Sequence, residues 1–495
     1  MLQRLMVAGF RRLGKPVLLA FLTVVLSAGR AYSAAPEVNE KTIGAINTHL
    51  ENAVAAGRFP GVSVALIADG DIKYAEGFGV TEMPGAAVTP DTSFFLGSVS
   101  KPITAIAILQ LVDEGKIDLD APLHQYIDWF LTLATPGWDA VTVRDLLRHQ
   151  SGLSTLQGNL NQISLNQSPS ALYEAARTYA CMNLAGLPGE RFVYSNANYQ
   201  LLGYLLETVE SKPYDAIITT RIINRLGLKN SFVYPESRSD ESVAKPHVFI
   251  FDRLQRNDRP ISRTITPQAG VAMSARDLSA VILDLMADNP RLLSPEIRDA
   301  MYEIDGDIGY SFGLMVDRRD GLLGLRHGGQ NAGFKTEMGF FPDLQLGYVV
   351  LANASDGGVA KSVSDTLHGV TDIISGATPR KAERPQLFVY FFGFLVAASL
   401  GSWIYLGLLI KKHLKSGAEK PSRLRLNWRW TSRVLAPSTV LAGLSYGLLF
   451  KVTQTFGAPL SAAVVFKPEL GIAIYTAALT FLAIALIRLF LVRSG

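Results

Sequence analysis

A single cysteine, Cys181, stands in 495 residues, so no disulfide can form within the chain. The same scarcity argues against a lipoprotein, whose lipid anchor needs a cysteine at the cleavage site near the N-terminus. Cys181 is expected to be a small buried apolar side chain, since a thiol nucleophile would want a histidine partner and none lies nearby in sequence. Charge is scarce too. Asp, Glu, Lys and Arg make up 18% of the residues against 48% apolar, and the formal net charge is only +4. Such a balance gives nucleic acid no electrostatic reason to bind. Phosphate-cradling loops, dinucleotide fingerprints and zinc-type Cys/His spacings are missing as well, so no cofactor and no metal is expected.

The apolar residues that are present are unevenly placed. Arg4, Arg11, Arg12 and Lys15 precede an apolar stretch from Pro16 to Gly29, followed by the small residues Ala31 to Ala35. Residues 1–35 therefore read as a secretory signal with cleavage after Ser33 or Ala35. From 36 to 375 the pattern is that of a globular mixed domain. Val62–Ile67 and Ile72–Phe78 are strand-like runs around Asp69-Gly70, a hairpin signal. Helices are expected over Ile103–Asp113, Val141–Arg148 and Asn198–Glu210, and after Ser274, with strands at Thr336–Phe341 and Leu346–Leu351. A hairpin, then helices, then closing hairpins is an α+β layout.

Residues 376–386 are polar, carry two prolines and read as a linker. Beyond them, over 387–490, three segments are long and apolar enough to cross a bilayer: Leu387–Ile410, Val434–Phe450 and Gly471–Ile487. Between the first two, Lys411 to Arg433 holds eight Lys and Arg against one acid, Glu419. The positive-inside rule puts that loop in the cytoplasm and the 36–375 domain outside. The export signal sends that domain to the same side. The chain is thus expected in the bacterial inner membrane, with the globular domain on the periplasmic or extracellular face.

Ser98-Val99-Ser100-Lys101 opens the helix over Ile103–Val112. Residues three apart share a helix face, so the Lys101 amine can reach the Ser98 hydroxyl. Serine attacks only once a base takes its proton, and lysine serves only if burial lowers its pKa. Ser242-Val243-Ala244-Lys245 fits the same pattern, but Pro246 and polar neighbours place it in a loop. Tyr194-Ser195-Asn196 lies in a loop before an apolar helix, where a phenol can relay protons and an amide can grip substrate. His327-Gly328-Gly329 precedes a strand, and its glycines let substrate lie against the backbone, where an N–H can help hold an oxyanion.

The order of these elements resembles the serine β-lactamase and penicillin-binding-protein superfamily, in its class C-like branch. The matching stretches are Phe95 to Lys101, Leu146 to Leu153, Tyr194 to Asn196, Gly270 to Leu278 and His327 to Gly329. The resemblance implies an antiparallel sheet flanked by helices beside an all-helical lobe, with the site between them. It makes Ser98 the acylated nucleophile, Lys101 its base and Tyr194 the proton carrier. Asn196, His327, Gly328, Gly329, Gln330 and Asn331 line the substrate, and the N–H groups of Ser98 and Gln330 form the oxyanion hole. His149 is read as structural. His327 stands where true class C β-lactamases have lysine, so efficient β-lactam hydrolysis is not expected. The expected partners are a small peptide, amide or ester and the membrane. An exported domain followed by three spanning helices also resembles the prodrug-activating peptidases that remove an N-acyl-D-asparagine cap, with Asn331 placed for amide recognition. A non-turnover penicillin-binding or sensor protein is the other alternative.

Overall fold

The computed structural model describes residues 37–236, 241–250, 253–303, 309–319, 322–356, 362–380, 386–415, 436–451, 453–454, 457–466 and 468–491. The expected signal segment, and most of the basic loop after Lys415, lie outside them.

The hairpin at Asp69-Gly70 forms as expected. Both residues have positive φ, 49° and 71°, the geometry that matches strand twist in a two-residue turn. It joins β1 (Gly61–Ala68) to β2 (Asp71–Gly79). β3 is Ser93–Phe95, β4 Phe232–Val233, β5 His247–Ile250, β6 Arg253–Arg256 and β7 Val271–Ser274. β8 is Met315–Arg319, β9 Leu322–Asn331, β10 Phe334–Phe341 and β11 Leu346–Ala352. The main sheet is six-stranded and antiparallel, in the order β2-β1-β11-β10-β9-β8, and β3-β7-β4 form a small second sheet.

Alternation along β1 and β11 splits the core in two. Val62, Val64, Leu66, Tyr348 and Val350 face α1 (Glu40–Ala55) and the helix Ser362–Ile374, meeting Ile46, Leu50, Val363 and Leu367. Ala65, Ile67, Val349 and Leu351 face the other way, into the core shared with the helical lobe. Through that lobe runs α2 (Ser100–Asp113), whose residues from Ser100 to Leu111 are all buried. A helix apolar all round belongs at the centre of a fold. α3 (Val143–Leu147) starts on a Thr142–Asp145 capping box, and α4 (Asn196–Glu210) packs against α2.

After residue 380 the helices Gln386–Lys415 and Ala436–Tyr446 pack along Pro468–Leu491. Tyr390, Phe394, Trp403, Ile404 and Leu408 are exposed, a concentration of apolar surface that a water-facing domain seldom carries. Among the described residues, Leu470–Ile487 is the one helical window long and apolar enough to span a bilayer, and Gly393–Ile404 is a shorter apolar stretch. The expectation of three spans is thus met by one helix of full length among the described residues. The second expected span breaks into a short α-helix and a π-turn at Gly447–Lys451.

Cys181 corrects the expectation of burial. It is exposed, because the helix Ala171–Ala180 ends there and turns its C-cap residue to solvent.

Candidate active site

The Ser98 turn is built by backbone constraints on both sides. β3 ends at Phe95, the Leu96 N–H donates to Val271 O at 2.9 Å, and Gly97 takes φ +55°. That left-handed conformation strains any residue with a Cβ. A Cβ on Gly97 would also sit 2.6 Å from the Gln330 nitrogen. One on Gly329 would sit 1.9 Å from Leu96 O and 2.2 Å from the Thr336 hydroxyl. Thr336 Oγ1 donates to Leu96 O at 2.6 Å, clamping β10 to the turn. The two glycines therefore let β9 lie directly against the segment that carries Ser98. A 3-10 turn over Gly97–Val99 leads into α2, so Ser98 sits just ahead of the helix.

Lys101 Nζ lies 2.9 Å from Ser98 Oγ and 3.4 Å from Gln268 O. Its side chain is fully buried, among the described residues no carboxylate lies within salt-bridge reach, and burial drives its pKa well below the ordinary lysine value. The neighbouring Ser98 hydroxyl favours the ionised Tyr194 phenol, but burial outweighs it and pushes the phenol above the usual range. Lys101 Nζ is 5.0 Å from the Tyr194 ring centroid and 5.7 Å from that of Tyr199. The hydroxyl, amine and phenol, drawn from two separate stretches of chain, thus meet at one point.

His327 is 1% exposed. Its Nε2 faces the Tyr310 hydroxyl at 3.2 Å and its Nδ1 the Gly328 carbonyl at 2.8 Å. Burial, and then the neighbouring Lys101, push it down to about 3, so it is a neutral imidazole at physiological pH. Gly328 and Gln330 lie on the other face of β9 from His327, Gly329 and Asn331. β8 pairs with β9 only from Leu322 to Arg326. From His327 to Asn331 the strand pairs with β10 on one side, and among the described residues no strand covers its other edge. Asn331 is buried and its amide donates to Ala269 O at 3.0 Å. The Asn196 amide donates to Asn159 Oδ1 at 2.8 Å.

Sequence reasoning passed over the rings that surround His149 behind Tyr194. His149 has φ +58° and is caged by Tyr194, Tyr310, Tyr199 and Phe192, with centroids at 4.4, 4.9, 5.3 and 6.0 Å. Its Nδ1 accepts from Ser195 N–H at 3.2 Å. The imidazole proton is therefore on Nε2, which is buried without a partner. Burial lowers the His149 pKa well below its usual value. His149 thus holds the Tyr194 loop as a neutral ring, in keeping with the structural role read for it from the Leu146–Leu153 stretch. Tyr199 and Tyr310 gave no sequence signal. The second Ser-x-x-Lys, at Ser242, lies in a loop as expected.

The beta-lactamase family profile matches residues 46–369 of the chain. The chain belongs to the beta-lactamase family. Among curated relatives, an unguisins hydrolase of Aspergillus campestris is 25% identical over 316 residues, 60% of this chain and 59% of that protein. A teichoic acid D-alanine hydrolase of Staphylococcus aureus is 26% identical over 260 residues, covering 52% and 60% of the two chains. The chain thus spans about 60% of the length of these curated relatives. Among solved structures, an octameric penicillin-binding protein homologue from Pyrococcus abyssi superposes with TM-score 0.58 at 26% identity, covering 72% of this chain and 81% of the other. D-Amino acid amidase from Ochrobactrum anthropi SV3 gives TM-score 0.58 at 22% identity, over 68% and 99% of the two chains. These relatives and neighbours share the serine-hydrolase fold of the family, and this chain carries that fold.

Proposed function

We propose that this chain is a membrane-anchored serine hydrolase of the cell envelope, cleaving a small peptide, amide or ester through an acyl-Ser98 intermediate. The observation that carries the reading is the buried Lys101 amine 2.9 Å from Ser98 Oγ. Two groups could serve as base, and the environment separates them. Burial disfavours both charged forms. It leaves the lysine as a free amine able to accept a proton and the tyrosine as a phenol unable to.

Lys101 then takes the Ser98 proton as Oγ bonds to the substrate carbonyl carbon. The carbonyl oxygen becomes an oxyanion, held by the N–H groups of Ser98 and Gln330, which Gly97 and Gly329 allow to approach. On collapse the carbon–nitrogen or carbon–oxygen bond to the leaving group breaks, and Tyr194 delivers the proton from Lys101 to that group. Water repeats the sequence to free the acid. The open edge of β9 suits an extended acyl chain adding as a strand. Neutral His327 offers no permanent charge to a substrate carboxylate, which weighs against efficient β-lactam turnover. A D-configured acyl group is favoured because a D-alanine hydrolase is among the relatives. Export by the N-terminal segment, three anchoring helices and a cytoplasmic basic loop complete the reading, and the exposed apolar side chains of residues 390–408 support it. The layout of an exported domain followed by apolar helices favours removal of an N-acyl-D-asparagine cap as the particular reaction, although the Asn331 amide nitrogen is held by Ala269 O.

The test is acylation measured by intact mass on wild type and Ser98→Ala, over β-lactams, D-alanyl peptides, N-acyl-D-asparagine amides and simple esters. Wild type is expected to gain a transient adduct on Ser98 with amides or esters, and Ser98→Ala none. Equal labelling of both proteins overturns the assignment.

A further inference from the structure

A neutral lysine amine carries two N–H groups and one lone pair, and only the lone pair can take a proton from Ser98. Something has to aim it. Gln268 O can only accept, so an N–H of the Lys101 amine turns toward it. That carbonyl belongs to a one-turn helix, Thr266–Ala269, too short to satisfy its own carbonyls. Thr266 O receives the Gly270 N–H at 2.8 Å. The other three are engaged from outside the turn. Pro267 O accepts from Thr104 Oγ1 in α2, Ala269 O accepts from Asn331 Nδ2 on β9, and Gln268 O faces Lys101.

The side chain of Gln268 is wholly buried and ties this turn to α4. Its Oε1 accepts from Gln200 Nε2 at 2.7 Å. Gln200 is held at its other end, where its Oε1 accepts from the Tyr179 hydroxyl at 2.7 Å and from Asn161 Nδ2 at 3.2 Å. Reversing the Gln200 amide would set its nitrogen against the Asn161 nitrogen. Among the described residues Gln268 Nε2 has no hydrogen-bond partner, so Gln200 is the polar anchor of that side chain. Gln200 stands one turn into α4, the helix that follows Tyr194. The element that sets the phenol thus also sets the carbonyl beside the amine. We propose that Gln200 is a positioning residue for the base: through Gln268 it holds the carbonyl that takes one Lys101 N–H, which leaves the lone pair to Ser98. The proposal rests on the acyl-Ser98 reading and adds to it a residue that acts through another.

The bond between the two glutamines is tested from both ends, by Gln200→Met, Gln268→Met and the double variant. Stopped-flow acylation of the full chain in detergent, with an ester substrate from pH ~5 to ~9, gives the saturating rate, the half-saturating concentration and the acid limb. Each single variant is expected to lose about tenfold to a hundredfold in the saturating rate, the scale of a small misplacement of the base. Half-saturation should stay within about twofold, since no substrate contact is removed. The acid limb should move to lower pH by about half a unit or more, because the ammonium formed by proton transfer loses an acceptor. Tyr194, Tyr199, His149 and His327, the other titratable groups around the amine, are unaltered in these variants. The double variant should be no slower than the slower single one, because all three remove the same bond. It leaves neither glutamine half-paired, so it supplies the rate if a single variant does not fold. Tyr179→Phe controls for disturbance of the network alone: Asn161 still holds Gln200, and the rate should stay within about threefold of wild type with the acid limb unmoved. Thermal unfolding shows which variants are folded. A full rate or an unmoved acid limb in the folded glutamine variants, losses that multiply in the double variant, or an equal loss in Tyr179→Phe overturns the inference while acylation of Ser98 stands. Absence of any Ser98 adduct in wild type overturns both.

Discussion

α2 carries Lys101 in its first turn, and Lys116 follows three residues past its last, and the two lysines have opposite fates. Lys101 is buried with its amine beside Ser98 Oγ, Gln268 O and the Tyr194 and Tyr199 rings, and its pKa falls because burial strips its water. Lys116 is in solvent between Glu114 at 2.8 Å and Glu210 at 3.3 Å. Its pKa rises, chiefly through its hydrogen bond to Glu114. Arg221 joins the same two carboxylates at 2.7 and 2.8 Å. One end of the helix region thus spends stability to keep an amine uncharged, and the other gathers opposite charges where water already screens them. Chemistry belongs to the first end, since a neutral amine is a base and a paired ammonium is not.

The largest expected effect comes from altering the buried end. Lys101→Met removes the base and is expected to slow Ser98 acylation about 10³-fold. Lys101→Arg is expected to be no better, because a guanidinium does not give up its proton in a protein. Stopped-flow acylation with an ester substrate measures both. In wild type the same rate should fall on acidification, as the amine with its lowered pKa becomes protonated, and hold through the alkaline side. A rate that instead rose toward acid would remove Lys101 from the role of base.

Next in size is the closeness of β9 to the Ser98 turn. Gly97→Ala brings a Cβ against the Gln330 nitrogen and forces a positive φ on alanine, a cost of about 1–3 kcal/mol. It should also move the Gln330 N–H away from the oxyanion position, which costs about 10²-fold in acylation. The measurement is the acylation rate on protein that still unfolds cooperatively. A full rate in that variant would show that the apposition is structural only.

A stability readout sharpens the same contrast. The folded pKa of Lys101 is depressed below its unfolded value, so between the two the unfolded chain holds one more proton. Stability therefore rises with pH across that window, by up to about 1.4 kcal/mol per pH unit for the one proton. Lys101→Met should abolish this rise and stand more stable than wild type around neutrality, a direct trade of stability for activity. Thermal midpoints of the two proteins in detergent, taken from pH ~6 to ~9, decide it. Parallel curves would mean that the amine is not dehydrated.

What could be read from the sequence was whatever lay in short runs. The Asp69-Gly70 turn, the Ser98–Lys101 spacing and the order of the Tyr194 and His327 motifs depend on neighbours in the chain. The cage around His149 does not, because Tyr199 and Tyr310 reach it from positions whose local sequence resembles any core tyrosine. Asn159 is likewise an ordinary loop residue until Gly457, 298 positions away, closes on it. Asn331 was expected to contact substrate through its amide, yet the nitrogen of that amide is held by Ala269 O, a backbone contact that no motif encodes. Cys181 misled because burial statistics for the residue type do not know where a helix stops.

The smallest effect is expected at the charged end. Burial is slight there, and Glu114 is lowered to about 2 chiefly by its hydrogen bond to Arg221. Its contribution is complete above the unfolded carboxylate pKa, near ~4.3, and is lost as pH falls through about 2. Glu114→Gln should therefore cost less than about 1 kcal/mol near neutrality, an exposed pair being worth little in water. The cost should shrink further in high salt, which screens the pair without reaching Lys101. Acylation of Ser98 should be untouched, because the whole length of α2 separates Glu114 from the hydroxyl. If Glu114→Gln slowed acylation while the midpoint barely moved, the two ends would be coupled through the helix, and the division of labour drawn between the two lysines would fail.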